Sequence, residues 1–219
     1  MDLLHTAHVP AGSGPFPAIL ALHGWGASAH DLIGLARMLH GGEAIFLCPQ
    51  GTVEVPLGPQ MGVGYGWFPL SRGGPPDPVE FLVARKLVAA FLEDALERYP
   101  IDRSLVVVLG FSQGGVMAYD LVLDSPERFK ALVALSSWLP AEIAGRIEPS
   151  PALAALPALV IHGDKDPMIP VERAHESRER LEALGVHVAH GEYEMGHEIG
   201  PHALRDLNEW LEAQAFQGC

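Results

Sequence analysis

Cysteine is nearly absent. Cys48 and Cys219 are the only two in 219 residues, one inside a strand-like run and one at the last position. Two thiols so placed imply no disulfide framework, and a reducing, cytoplasmic compartment is expected. Basic side chains are also scarce: 14 Lys and Arg stand against 27 Asp and Glu, a formal charge of −13. Phosphate backbones demand basic patches, so nucleic acid is not expected as a partner, and neither is an anionic membrane surface. The acidic surplus favours solubility through self-repulsion. No apolar run approaches the ~20 residues of a membrane span, so no stable membrane insertion is expected. Met1-Asp2-Leu3-Leu4-His5 lacks the basic start and apolar stretch of a secretory signal. There is no H-E-x-x-H, no P-loop and no G-x-G-x-x-G. A metal hydrolase and a nucleotide-dependent enzyme therefore have no support, and neither a metal nor a cofactor is expected.

What is present is apolar sequence in a regular arrangement. Hydrophobic residues make up 48% of the chain, ample for a sizeable core, and the length fits one domain over residues 1–219. Strand-like runs cover Phe16 to Leu22, Ala44 to Cys48, Leu105 to Leu109, Ala131 to Leu135, Ala158 to Ile161 and Val186 to His190. Helical patterns lie between and after them, at Ala29 to Leu39, Pro78 to Tyr99, Gln113 to Leu123, Pro170 to Leu184 and Pro201 to Ala215. Near-continuous apolar strands alternating with helices predict an α/β fold, a mostly parallel central sheet with helices on both faces. Asp77 before Pro78 reads as an N-cap and Gly185 as a helix stop. The stretch between Ser136 and Pro157 has room for one short helix but no large cap domain. Gly51 to Pro76, rich in Gly and Pro, reads as a long loop carrying Met61, Tyr65, Trp67 and Phe68. Its aromatics either wall a substrate cleft or anchor the loop to the core.

The apolar run Leu105-Val106-Val107-Val108-Leu109 leads into Gly110-Phe111-Ser112-Gln113-Gly114 and then a helical pattern. This G-x-S-x-G on a strand-to-helix turn projects a serine hydroxyl, and its glycines let the backbone turn sharply. Ser112 is the candidate nucleophile. A serine hydroxyl needs a base to take its proton and an acid to orient that base. Both should follow downstream, each on a loop after a strand.

The chain supplies them in that order. The run ending at Ile161 opens into His162-Gly163-Asp164-Lys165-Asp166-Pro167, with Asp164 and Asp166 both candidate acids. The last strand leads to Gly196-His197, and His197 is the candidate base. An imidazole, with an ordinary pKa near ~6.5, can both accept the proton and return it to a leaving group. The other histidines read otherwise. His187 and His190, three apart on a strand, face opposite ways and make no ligand pair. His175, near Glu172 and Glu179, reads as a solvated face, and His202 has no evident partner. For the oxyanion, one donor is the backbone N–H of Gln113, after the nucleophile. The second comes from the loop His23-Gly24-Trp25-Gly26-Ala27-Ser28, where Trp25 is the candidate and His23 a brace.

Together, Leu22-His23-Gly24-Trp25-Gly26, Gly110-Phe111-Ser112-Gln113-Gly114-Gly115, His162-Gly163-Asp164-Lys165-Asp166-Pro167-Met168-Ile169-Pro170 and Gly196-His197-Glu198-Ile199 resemble the phospholipase/carboxylesterase family of α/β-hydrolases, which includes acyl-protein thioesterases. The resemblance implies an α/β-hydrolase fold without a large cap, and cleavage of carboxylic esters or thioesters without a metal. It implies that the acid is Asp166, directly before the proline, and that Trp25 and Gln113 supply the oxyanion donors. It also implies that Gly66-Trp67-Phe68 is the substrate-side loop, with Trp67 near the acyl chain; Trp67 and Phe68 are the substrate-binding candidates. The expected activity is a serine carboxylesterase on small esters of short or medium acyl chains. An acyl-thioesterase or lysophospholipase would use the same triad, and a non-catalytic ligand-binding protein could share the fold. Either a monomer or a homodimer is compatible with the sequence.

Overall fold

The structure of the protein is a computed structural model that describes residues 3–60, 62–70 and 77–218. Met61, residues 71–76 of the Gly/Pro-rich segment and Cys219 lie outside the described residues. The described strands are β1 (His5–His8), β2 (Phe16–Leu22), β3 (Ile45–Pro49), β4 (Val53–Gly58), β5 (Gly62–Gly66), β6 (Ile101–Phe111), β7 (Ala131–Leu135), β8 (Pro157–Gly163) and β9 (His187–Tyr193). Seven of them form one sheet in the order β1-β3-β2-β6-β7-β8-β9. β1 runs antiparallel to β3, and every other neighbouring pair is parallel.

The period-two geometry of a strand divides each apolar run between two cores. Leu20, Val106, Val108, Leu132 and Val160 face one side, while Ile19, Val107, Leu109, Val133 and Ile161 face the other. The helices are α1 (Pro78–Arg98), α2 (Gln113–Asp124), α3 (Ala141–Ala144), α4 (Pro151–Ala155), α5 (Glu172–Ala183) and α6 (Pro201–Gln214). α1, α2 and α5 cover the first core through Val88, Phe91, Val116 and Leu181. α6 covers the second through Ala203, Leu207 and Leu211. Asp77 caps α1, its Oδ1 accepting from the amides of Val79 and Glu80 at 2.9 and 3.1 Å. Gly185, at φ +85°, closes α5. Among the described residues no helix is long and apolar enough to cross a membrane.

Four expectations require correction. Ala29 to Leu39 is not an α-helix but a 3₁₀ turn over Ile33–Arg37. Leu32, Ala36 and Leu39 still face the core, but Gly34 lies inside the segment and lowers helix propensity by about 1 kcal/mol. The long segment after Gly51 is not a structureless loop: β4 and β5 form an antiparallel hairpin outside the main sheet. Pro56 and three glycines of β5 hide it, since these residues are poor strand formers. Two short helices, α3 and α4, occupy the region where one was expected, each starting on or just after a proline. β9 continues through Gly191 and Glu192, past the predicted end at His190.

The topology prepares the site. The chain lays β3 on one side of β2 and then β6 on the other. At such a switch point the connections diverge and leave a crevice at the carboxyl ends of the strands. The loop after β2, residues 23–28, and the turn at Ser112 after β6 both open there.

Candidate active site

Ser112 sits at φ +54° and ψ −122°, a conformation that costs a non-glycine residue about 1–3 kcal/mol. Its surroundings fix that geometry. The Ser112 amide donates to Leu135 O at 2.9 Å, and Ser112 O accepts from Gly115 N at 2.9 Å and Ser137 Oγ at 2.7 Å. The glycine at 114 is dictated by proximity: a Cβ there would lie 2.0 Å from Leu22 O. β2 and β6 therefore come close enough for their following loops to share one crevice. Ser137 was not singled out in the sequence; only its place just after the apolar run of β7 hints at it.

A continuous hydrogen-bond chain runs from the acid to the hydroxyl. Ser112 Oγ donates to His197 Nε2 at 2.9 Å, and His197 Nδ1 donates to Asp166 Oδ2 at 2.7 Å. A carboxylate can only accept, so it fixes the tautomer that leaves Nε2 free to receive a proton. Asp166 Oδ1 accepts from the amides of Met168 and Ile169 at 2.8 and 2.9 Å. Burial opposes ionisation of this carboxyl, but the Ile169 amide, His197 and the Met168 amide outweigh it and hold Asp166 below the usual aspartate range. Asp164 is exposed, and its amide bonds to Tyr193 O instead. The geometry therefore groups Asp166, not Asp164, with His197 and Ser112.

His162, read only as part of a turn motif, stands behind the acid. It is fully buried, donates from Nε2 to Ile169 O at 2.8 Å and lies 3.5 Å from Asp166 Oδ2. Its Nδ1 is buried without a partner.

On the opposite side of the nucleophile lies the loop after β2. His23 is a brace: Nδ1 donates to Gly24 O at 2.7 Å, and Nε2 accepts from Gly51 N at 3.0 Å. Burial lowers its pKa despite the Gly24 carbonyl and Asp31, which keeps the ring neutral and suited to accept from Gly51. The hairpin is fastened to this loop by an antiparallel bridge between Ala27 and Tyr65: the Tyr65 amide donates to Ala27 O at 2.7 Å, and Tyr65 O accepts from the Gly26 amide at 2.8 Å. Among the described residues, the amides of Trp25 and Gln113 have no hydrogen-bond acceptor. Gln113 begins α2, where unpaired amides and the helix dipole favour negative charge.

Trp67 and Phe68 do not line an open cleft. They are 3% and 1% exposed. Trp67 Nε1 donates to His23 O at 2.8 Å, its amide donates to Gln113 Oε1 at 2.9 Å, and Phe68 O accepts from Gln113 Nε2 at 2.6 Å. These contacts make the two residues anchors of the hairpin, the alternative the sequence left open. A cavity of about 540 Å³ lies elsewhere, between Phe81, Leu82, Pro140 and Ile143, and no triad residue lines it. Its floor is Asp120, buried beneath Arg85 and Arg146.

His175 lies on the exposed face of α5, and its Nε2 pairs with Glu192 of β9 at 2.7 Å.

Residues 6–215 match the profile of the phospholipase/carboxylesterase family. The chain is 30% identical over 221 residues to acyl-protein thioesterase 1 of Gibberella zeae, covering 94% of this chain and 93% of that protein. It is 27% identical over 194 residues to the putative hydrolase MhqD of Bacillus subtilis, covering 89% and 92%. The structure is similar to that of esterase PE8, with a TM-score of 0.82, 27% identity, and coverage of 98% and 100%. The Bacillus cereus carboxylesterase has the same fold, with a TM-score of 0.81 at 24% identity and coverage of 97% and 94%.

Proposed function

The chain belongs to the phospholipase/carboxylesterase family of ester hydrolases, and from that premise we propose that it is a serine carboxylesterase acting on short- to medium-chain esters. The observation that carries this reading is the unbroken chain from Asp166 through His197 to Ser112. Ser112 Oγ attacks the ester carbonyl while its proton passes to His197 Nε2. Asp166 holds the imidazole in register and stabilises the imidazolium that forms. The tetrahedral oxyanion is received by the amides of Trp25 and Gln113, each such donor being worth about 2.7–4 kcal/mol of barrier. His197 returns the proton to the leaving alcohol, and an acyl-enzyme on Ser112 remains. Water, deprotonated by His197, then releases the acid.

The same steps would cleave a thioester. The 30% identity with an acyl-protein thioesterase favours that second reading. Initial rates on p-nitrophenyl esters from acetate to palmitate, set beside acyl-thioesters of matched length, separate the two. Ser112→Ala should cut ester turnover by at least roughly 10⁴-fold and abolish labelling by a fluorophosphonate. Parental turnover by that variant would overturn the assignment, and absent labelling of the parent would favour a non-catalytic binder.

A further inference from the structure

The helix α5 and the edge strand β9 bring together three side chains that the proposed chemistry does not use. His190 and Glu192, two apart on β9, share one face of the strand. His175 comes down on them from α5. Its Nε2 lies 2.7 Å from Glu192 Oε1, and its ring centre is 5.7 Å from that of His190, in an edge-on arrangement. One donor atom from each of the three falls within 4.8 Å of the others.

We propose that His175, His190 and Glu192 form a binding site for one divalent transition metal of the zinc class, open to solvent on its outer side. Two imidazoles and a carboxylate are the donor set of borderline ions; magnesium and calcium require oxygen shells. Bonds of about 2.0–2.2 Å place tetrahedral ligand atoms roughly 3.3–3.5 Å apart. The cluster reaches that spacing by small rotations of the two exposed members, His175 at 45% and Glu192 at 41% exposure. His190 is the fixed member, 11% exposed. It is also the unsatisfied one: Nδ1 has only Glu192 Oε1, at 3.5 Å, and Nε2 is buried with no partner. Nδ1 is the nitrogen that faces the carboxylate, and a metal bonded there would replace that long contact. Arg178, the nearby cation, is engaged with Glu182 at 2.9 Å. The net charge of −13 raises the local concentration of divalent cations. Bound metal would staple α5 to the strand at the sheet edge, and that strand leads to His197.

The test is titration of the metal-free full-length protein with zinc chloride by calorimetry, with Co²⁺ absorption as the report on coordination. The expected result is one ion per chain and a rise in thermal midpoint on binding. His175→Ala and Glu192→Gln, both at exposed positions, each weaken binding at least about tenfold. His187→Ala removes a histidine from the opposite face of the same strand and leaves binding unchanged. His197→Ala also binds as the parent does, which separates this site from the triad. No stoichiometric uptake, parental affinity in both His175→Ala and Glu192→Gln, or loss in His187→Ala or His197→Ala would each overturn the proposal.

Discussion

Gln113 and Trp67 are joined through the tryptophan's peptide amide, which donates to the glutamine Oε1 at 2.9 Å. The same carboxamide donates onward to Phe68 O at 2.6 Å. One side chain thus clasps the hairpin, while its own backbone amide faces the proposed oxyanion. Gln113→Ala leaves a buried amide and a buried carbonyl unpaired, each worth about 1–3 kcal/mol. Urea denaturation should show a loss of at least about 2 kcal/mol, and kcat should fall by ~10–100-fold as the hairpin shifts.

The two aspartates of the turn after β8 separate cleanly. Asp166→Asn keeps the shape but permits the wrong imidazole tautomer, and kcat should fall by roughly 10⁴-fold. Asp164→Asn alters an exposed side chain and should leave kcat within about a factor of two. Steady-state ester hydrolysis by both variants checks this; equal effects would contradict the assignment of the acid.

Asp166 also gives stability a pH dependence. Its carboxyl titrates lower in the folded chain than in the unfolded one. The folded state therefore binds that proton more weakly, and the contribution is fully present above the ordinary aspartate value of ~3.9. It is lost as pH falls through the lower folded value. Unfolding free energies measured from pH 6 down to pH 3 should show the gap between the parent and Asp166→Asn changing below about pH 4. A gap constant across that range would refute the linkage.

Gly66 lies against the ring of Trp25: a Cβ there would fall 2.3 Å from Trp25 Cε3 and 3.1 Å from Gln113 Oε1. Gly66→Ala must push the indole and its loop aside. We expect kcat to fall by ~10–100-fold with KM changed far less, since the loop carries a donor proposed to act on the transition state. A rise in KM alone would argue that the loop binds substrate without stabilising the oxyanion.

The sheet was legible because β2, β6, β7 and β8 are continuous apolar runs, which a doubly covered parallel strand requires. β1 was not, because His5-Thr6-Ala7-His8 is an edge strand with little apolar signal. The grouping of Ser112, His197 and an aspartate could be read from order alone, since each follows a strand of the same sheet. The choice between Asp164 and Asp166 could not, because spacing is silent on which carboxylate turns inward. Whether Trp67 and Phe68 wall a cleft or anchor the loop could not be read from the sequence, because an aromatic pair in a Gly-rich stretch gives the same signal whether it lines a cleft or plugs a core. The partner of His175 lay beyond sequence reading altogether, since Glu192 sits on another element.

β6 sends successive residues to opposite cores right up to the glycine before Phe111. The direction in which the hydroxyl at 112 emerges is consequently a matter of odd and even. Inserting one residue into 105–109 would exchange the two cores' side chains and, in the same stroke, aim the nucleophile away from its base. Folding and reactivity are governed by one count, and neither can drift without the other.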